Sequence, residues 1–425
     1  MNKQLVIILK TFPKLSETFI LQEIMQLVQC GINPIIYSRT YPIDEPFTHS
    51  GIKGLNLDVR YIPYATREGK DSLYRIIWRL RKKYGLAVMI QMYRKAKNNA
   101  KERKKNKSKL CVYAALWILD NLNPENPHNY HIHTQFLDYP TEIAYNIHKL
   151  SGIDYSISCH AKDIYTSPEA NVKKYIENAV AIKTCTKYNA NYLSELVNGR
   201  KKIYSIYHGI NCTFFSREAV DGQLRLISVA RLVEKKGYFT ILKALNMLKL
   251  RYPNFIYTII GHGDLQEEIQ KLISFLHLEK HVIMIPYAVQ EVIRDYLRYS
   301  DIFINASIIT KSGDRDGIPN SIAEAMAMGV PVVATDVSGI SELVHHKETG
   351  YLAQTRDASS IYNGLVYYIE NPEERERITA KACKYVRDSF NKDTLFTQCQ
   401  QFYEEMLNTV TDNENTINRN TPQSL

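Results

Sequence analysis

The 425-residue sequence predicts an α/β protein made of two successive Rossmann-like halves, and three observations carry that expectation. The chain opens as strand, helix, strand: QLVIILK, then LQEIMQLVQCG with Gly31 at the stop, then NPIIYS. After the Asp221-Gly222-Gln223 break, LRLISVA restarts the same alternation and leads into LVEKKGYFTILKALNML. Finally, residues 313–352, GDRDGIPNSIAEAMAMGVPVVATDVSGISELVHHKETGYL, read as a polar loop, a short helix and a buried strand.

Length and composition narrow the class. A chain of this length exceeds one ordinary core and fits two domains. The apolar run at the amino terminus is cut short by Lys10 and Pro13, so it reads as a first strand and not as a signal peptide, and no window approaches the roughly 18 apolar residues of a membrane span. Seven cysteines, scattered and without C-x-x-C spacing, indicate a reduced cytoplasmic compartment with neither zinc nor a disulfide framework. Residues 67–109 hold sixteen Lys and Arg against three acids, a net +13, whereas the whole chain carries +10. The basicity therefore belongs to one insertion. No recognition motif accompanies it, so nucleic acid is not expected as a partner.

The stretch 313–352 has the most specific chemistry. Pro319 suits the start of a helix, because a first turn leaves its N–H groups unpaired anyway. Those N–H groups and the positive end of the helix dipole suit a phosphate. Asp316 and Glu324 flank that end eight positions apart, and a carboxylate accepts paired hydrogen bonds from vicinal hydroxyls. A nucleotide-sugar has that form, a diphosphate with hydroxyls on both sides. Alone, Asp316 reads as a turn residue and Glu324 as a surface residue; with Gly317, Pro319 and VPVVAT they make a site.

The segment DGIPNSIAEAMAMGVPVVAT resembles the donor-sugar signature of retaining glycosyltransferases of family 4, in the exopolysaccharide and colanic-acid-type branch, with Asp316 standing where the family usually has Glu. The resemblance implies a GT-B fold: two Rossmann-like domains facing a cleft, with a C-terminal helix crossing back to the first. The expected organisation is 1–210 for the acceptor-side domain with a basic insertion at about 65–120, 211–388 for the nucleotide-sugar domain, 389–410 for the crossover helix, and a disordered tail at 411–425. It also implies donor contacts from Arg231 and Lys236 on the diphosphate, from Gly317, Ile318, Pro319, Asn320 and Ser321 at the helix end, from Tyr287 and Ala288 at the nucleobase, and from Gly209. Glu324 would hold the ribose hydroxyls and Asp316 the donor sugar. No metal or other cofactor is expected; Asp314-Arg315-Asp316 also reads as a DxD metal motif, but the loop and helix around it match the metal-free pattern.

In the amino half, DYSISC delivers His160 to the carboxyl end of a strand, and HAKDIY matches the family's active-site histidine segment; His133 is a weaker candidate. FPKLSETFI occupies the first loop. Ser16, Glu17 and Thr18 have two readings there, contacts to acceptor or phosphate, and a helix N-cap with its capping acid. Gly261-His262-Gly263 lacks the third glycine of a dinucleotide fingerprint. In the insertion, Leu73, Ile76, Ile77, Leu80 and Tyr84 recur at helical spacing, with Trp78 among arginines and lysines, a pattern of peripheral membrane helices as well as of an ordinary solvated face.

These readings together predict a retaining, metal-independent glycosyltransferase that moves a sugar from a nucleotide-sugar to a saccharide or lipid-linked acceptor in capsule, exopolysaccharide or O-antigen biosynthesis. The expected location is the cytoplasmic face of the inner membrane, docked on anionic lipid through 67–109. The alternatives are a non-catalytic sugar-nucleotide-binding subunit and a GT-B epimerase.

Overall fold

A computed structural model describes residues 3–14, 17–41, 56–63, 67–87, 89–91, 94, 107–123, 125–212 and 222–408. Leu15, Ser16, the highly charged run 95–106, and the tail expected to be disordered lie outside the described residues.

The first sheet has the order β3-β2-β1-β4-β5-β6-β7, with β1 Gln4–Thr11, β2 Ile35–Thr40, β3 Asp58–Tyr61, β4 Tyr130–Gln135, β5 Asp154–Cys159, β6 Ala181–Thr184 and β7 Ile203–Ser205. The second has the order β10-β9-β8-β11-β12-β13, with β8 Leu224–Val229, β9 Phe255–Ile260, β10 Val282–Ile285, β11 Ile302–Asn305, β12 Val332–Thr335 and β13 Tyr351–Ala353. All pairings of the second sheet are parallel, as are those from β3 through β5 in the first. Each sheet reverses its strand order once, between β1 and β4 and between β8 and β11, which is the doubly wound Rossmann plan. Such strands are covered on both faces and so read as unbroken apolar runs: Val6, Ile7 and Ile8 of β1 and Phe303 of β11 are fully buried.

By contact density the chain divides into two units: 1–158 with 175–182 and 398–425, and 159–174 with 183–397. The segments that leave β5 and β6 at their carboxyl ends thus belong to the second unit. Helix Lys392–Asn408 begins in that unit, where Lys392 N–H donates to Ile210 O at 3.0 Å. From Gln398 onward it belongs to the first, where Phe402 and Tyr403 are buried and Tyr403 bonds the Glu23 carboxylate. This is the crossover helix.

Within the first unit the basic insertion supplies helix Arg67–Tyr84, which packs on helix Lys107–Leu122. Ile76 and Leu80 are buried, while Ile77 and Tyr84 are only half-buried. The side chain of Leu73 lies outside the described residues. Arg79 reaches back to Asp120 (Nε to Oδ1, 2.8 Å), and Trp78 is 66% exposed with Arg81 stacked over its ring at 4.0 Å. Among the described residues, no helix is long and apolar enough to cross a membrane.

Candidate active site

The site is built in the second unit around the loop that follows β11. Gly313 adopts φ +85° and lies over the Tyr165 carbonyl, while Arg315 stacks on the Tyr165 ring at 4.0 Å. These contacts seat the loop on the helix Ala161–Thr166. The chain then enters helix Asn320–Ala327, with Pro319 at the N-cap, one position earlier than the first turn where the sequence places it. Ile318 is half-buried, and Asn320 and Ser321 open the helix whose Ile322 N–H donates to Pro319 O at 3.0 Å. A Cβ on Gly317 would meet Cys185 Sγ and the Thr186 methyl at 3.5 and 3.4 Å, ordinary contact distances, so the loop runs close to these two residues.

Asp316 is buried, and both its oxygens are engaged. Lys236 Nζ lies 2.7 Å from Oδ2, Ser307 Oγ 2.6 Å from the same atom, and Lys235 Nζ 3.4 Å from Oδ1. Lys235, also buried, reaches Asp314 at 3.0 Å as well, so an ammonium sits between the two carboxylates of the DxD-like tripeptide. Asp316 is thus paired with two lysines and a serine. Lys235 escapes sequence reading because it comes from the loop after β8, and Ser307 because nothing local shows that its hydroxyl turns back onto Asp316 in the same loop. Burial pushes the Asp316 carboxyl up, but Lys236 and Lys235 outweigh it and hold the group at about 2, below the ordinary 3.8. A carboxyl depressed in the folded state adds stability that is present above the unfolded value, near pH 4, and is lost as the pH falls through about 2. The difference corresponds to about 2 kcal/mol. Acid unfolding of Asp316→Asn is therefore expected to start from lower stability at neutral pH and to show a flatter limb between pH 4 and 2; limbs parallel to wild type would contradict the assignment.

Lys236 is positioned by the short 3-10 turn Glu234–Lys236, which closes on Gly237 at φ +64°. Arg231 stands exposed on the turn just before it. The glycines of Gly261-His262-Gly263 serve this turn: a Cβ on Gly261 would fall 2.0 Å from Ala230 O, and one on Gly263 2.5 Å from Leu232 O. The motif allows close backbone approach and is no dinucleotide fingerprint.

Glu324 is half-buried, and burial raises its pKa, while a hydrogen bond from Gln290 Nε2 at 3.2 Å opposes the rise. Gln290 opens helix Gln290–Arg298, directly after the loop that carries Tyr287, which is exposed, and Ala288, which is half-buried. Glu324 and the 287–288 loop thus lie side by side, joined by a residue that sequence reading missed.

His160 follows β5 and heads helix Ala161–Thr166, its N–H donating to Asp163 Oδ1 at 2.9 Å. Its ring stacks on His208, with centroids 5.3 Å apart. Burial, then His208 and Lys183, push its pKa well below the usual histidine value, so the ring is neutral. His160, Cys185 and His208 bring their ligand atoms within 4.8 Å of one another. His133, in the first unit, is a core histidine: both ring nitrogens bond buried serines, Ser156 at 2.8 Å and Ser158 at 2.9 Å. Gly209 serves the backbone, since a Cβ there would come 2.4 Å from Lys392 Cα. Of the first loop, Ser16 and the side chain of Thr18 lie outside the described residues; Glu17 takes the N-cap position of helix Thr18–Gln29 and pairs with Lys14.

The architecture is that of the GT-B class. A glycosyltransferase from Rickettsia africae aligns over 96% of this chain and all of its own with a TM-score of 0.68 at 18% identity, and Alr3699/HepE of Anabaena, crystallised with UDP and glucose, over 94% and 99% with 0.68 at 14%. Residues 212–385 match the family model "Glycosyl transferases group 1". In sequence, the chain is 36% identical over 190 residues to the amylovoran biosynthesis glycosyltransferase AmsK of Erwinia amylovora, covering 45% of this chain and 47% of that one. It is 33% identical over 251 residues to the putative colanic acid biosynthesis glycosyltransferase WcaL of Escherichia coli (strain K12), covering 58% and 62%. The chain thus spans about half the length of the first of these relatives.

Proposed function

We propose that the protein is a glycosyltransferase that moves a sugar from a nucleotide-sugar to a saccharide or lipid-linked acceptor during assembly of a cell-surface polysaccharide, with retention at the anomeric carbon and no metal. The observation that carries this reading is the set of groups gathered at one helix end: the Lys236–Asp316 pair at 2.7 Å and the first-turn amides of Asn320–Ala327. An ammonium has three donors, so Lys236 keeps two for a phosphate after bonding Asp316. With Arg231 and the helix amides it would stabilise the charge that develops on the diphosphate as the anomeric carbon–oxygen bond breaks. The acceptor hydroxyl forms the new bond and passes its proton to the departing phosphate oxygen. Glu324, beside 287–290, suits the ribose hydroxyls, and the neutral His160 suits the reacting sugar. Two observations support retention by same-face displacement without a metal: lysines and a serine occupy the Asp316 oxygens, and Lys235 fills the space between Asp314 and Asp316. The names of AmsK and WcaL support a polysaccharide pathway, and the HepE complex supports a uridine diphosphate donor.

An anionic cytoplasmic membrane face fits the insertion. Ile76 and Leu80 are buried, yet Trp78, Leu86 and Ile90 remain exposed, as do Arg75, Lys82 and Lys83. Each basic side chain near such a surface contributes about 1 kcal/mol. One experiment tests both parts: the purified chain is assayed with a panel of nucleotide-sugars and lipid-linked acceptors, with anionic or neutral vesicles present. Transfer with one donor, and flotation only with anionic vesicles, are expected. Donor binding without transfer would favour a non-catalytic subunit, a new nucleotide-sugar without acceptor an epimerase, and flotation indifferent to lipid charge would sink the docking.

A further inference from the structure

The strands β5, β6 and β7 are neighbours in the first sheet, and each releases one metal-binding side chain just past its carboxyl end: His160, Cys185 and His208. All three belong to the second compact unit. Their ligand atoms lie within 4.8 Å of one another, and Cys185 is buried. A tetrahedral zinc ion with a sulfur at about 2.3 Å and nitrogens at about 2.0–2.1 Å needs ligand atoms roughly 3.3–3.7 Å apart. The three groups would have to close by about 1 Å, within the reach of small rotations of side chains that follow strand ends. A thiol with two imidazoles is a donor set for soft divalent cations and not for magnesium or calcium.

We infer that His160, Cys185 and His208 form a zinc-binding site whose occupancy holds the protein in an inactive state.

The chemistry is consistent on both sides of the binding step. Each imidazole can offer one ring-nitrogen lone pair to an ion. Sulfur binds as the thiolate, so the ion must displace a proton from Cys185. The released proton goes to solvent, and the thiolate formed offsets part of the added charge. Lys183 opposes a cation here, and Asp163 favours one. Three protein ligands leave a fourth position open. Cys185 Sγ also lies beside Gly317, so an ion in this site would adjoin the loop that leads into helix Asn320–Ala327 and engage His160 at once. Only the inhibitory part rests on the function proposed above.

The test separates the two. Full-length protein freed of metal by chelation is titrated with cobalt(II), then with zinc. One equivalent of cobalt is expected to give a thiolate-to-metal charge-transfer band that zinc removes. Cys185→Ser and His208→Ala should abolish the band, weakening affinity by at least the roughly 10- to 100-fold that loss of even an outer partner costs. Cys30→Ser, which removes an exposed thiol far from the cluster in sequence, should keep it. Thermal melting confirms that each variant is folded. In the transfer assay, zinc should suppress turnover of wild type and act much more weakly on Cys185→Ser. No band in wild type, or an equal band in folded Cys185→Ser, overturns the site; a band that forms while zinc leaves turnover untouched overturns the inhibition. If cobalt binds as described but no nucleotide-sugar is ever turned over, the functional reading fails while the site stands.

Discussion

Lys236→Ala is expected to lower kcat/KM for glycosyl transfer about 10²- to 10³-fold, the size of effect seen when one preorganised donor to a developing negative charge is removed. The fold should survive, because Asp316 keeps Lys235 at 3.4 Å and Ser307 at 2.6 Å and is not left as an unpaired buried charge. Lys236→Arg should recover part of the activity if charge at the phosphate is what matters, and little if the compact ammonium between Asp316 and the ligand is what the space admits. Steady-state kinetics beside thermal melting decide the matter. Unchanged turnover in the alanine variant would remove Lys236 from the mechanism, and a melting temperature that collapses along with activity would assign it to the fold instead.

Gly237→Ala is expected to be the most damaging single methyl in the second unit. The residue sits at φ +64°, and the added Cβ would stand 1.9 Å from the backbone oxygen of Ala306, which no side-chain movement can relieve. Left-handed backbone alone costs a non-glycine roughly 1 kcal/mol. The clash must displace either the 234–236 turn or the end of β11, and backbone displacements of this kind belong among the largest point-mutant effects, about 4 kcal/mol or more. At about 2–4 °C per kcal/mol for a domain of this size, the melting temperature should fall by about 8–16 °C. Gly199→Ala is the control, since Gly199 has a similar φ of +67° but nothing within 4 Å of the added methyl. Equal losses in the two variants would show that the contact with Ala306 contributes nothing.

Much of the fold was legible because doubly wound sheets leave a plain mark on sequence. Strands covered on both faces must be apolar throughout, as in VIIL of β1 and IFI of β11, and each is followed by a helix that a glycine or an N-capping residue punctuates. Part of the site was legible too. Gly317, Pro319 and Glu324 stand out because a loop entering a helix constrains residue type at fixed spacing. What could not be read was partnership across the chain. Nothing local tells that Lys235, and not only Lys236, turns inward; a 3-10 turn presents both to a loop about 80 residues away. Gln290 and Cys185 are ordinary polar residues until the strand order brings them to Glu324 and Gly317, and Ser307 is one until its own loop folds back onto Asp316. In the insertion, spacing identified an amphipathic helix but not how far its stripe extends, and of the described side chains of helix Arg67–Tyr84 only Ile76 and Leu80 are buried.

The lysine–carboxylate cluster has a consequence for how this site meets its ligand. Fixing a lysine side chain into one conformation sacrifices about 1.5–2 kcal/mol of rotamer freedom. In most surface phosphate sites that loss falls on the binding step. Here Lys236 is held by Asp316, and Asp316 by Lys235 and Ser307, so the loss is incurred when the chain folds. The two ammonium groups and the carboxylates of Asp314 and Asp316 also sum to no net charge. Attraction at long range is correspondingly weak, and recognition depends on donors that already point the right way, a site whose selectivity is written in direction more than in charge.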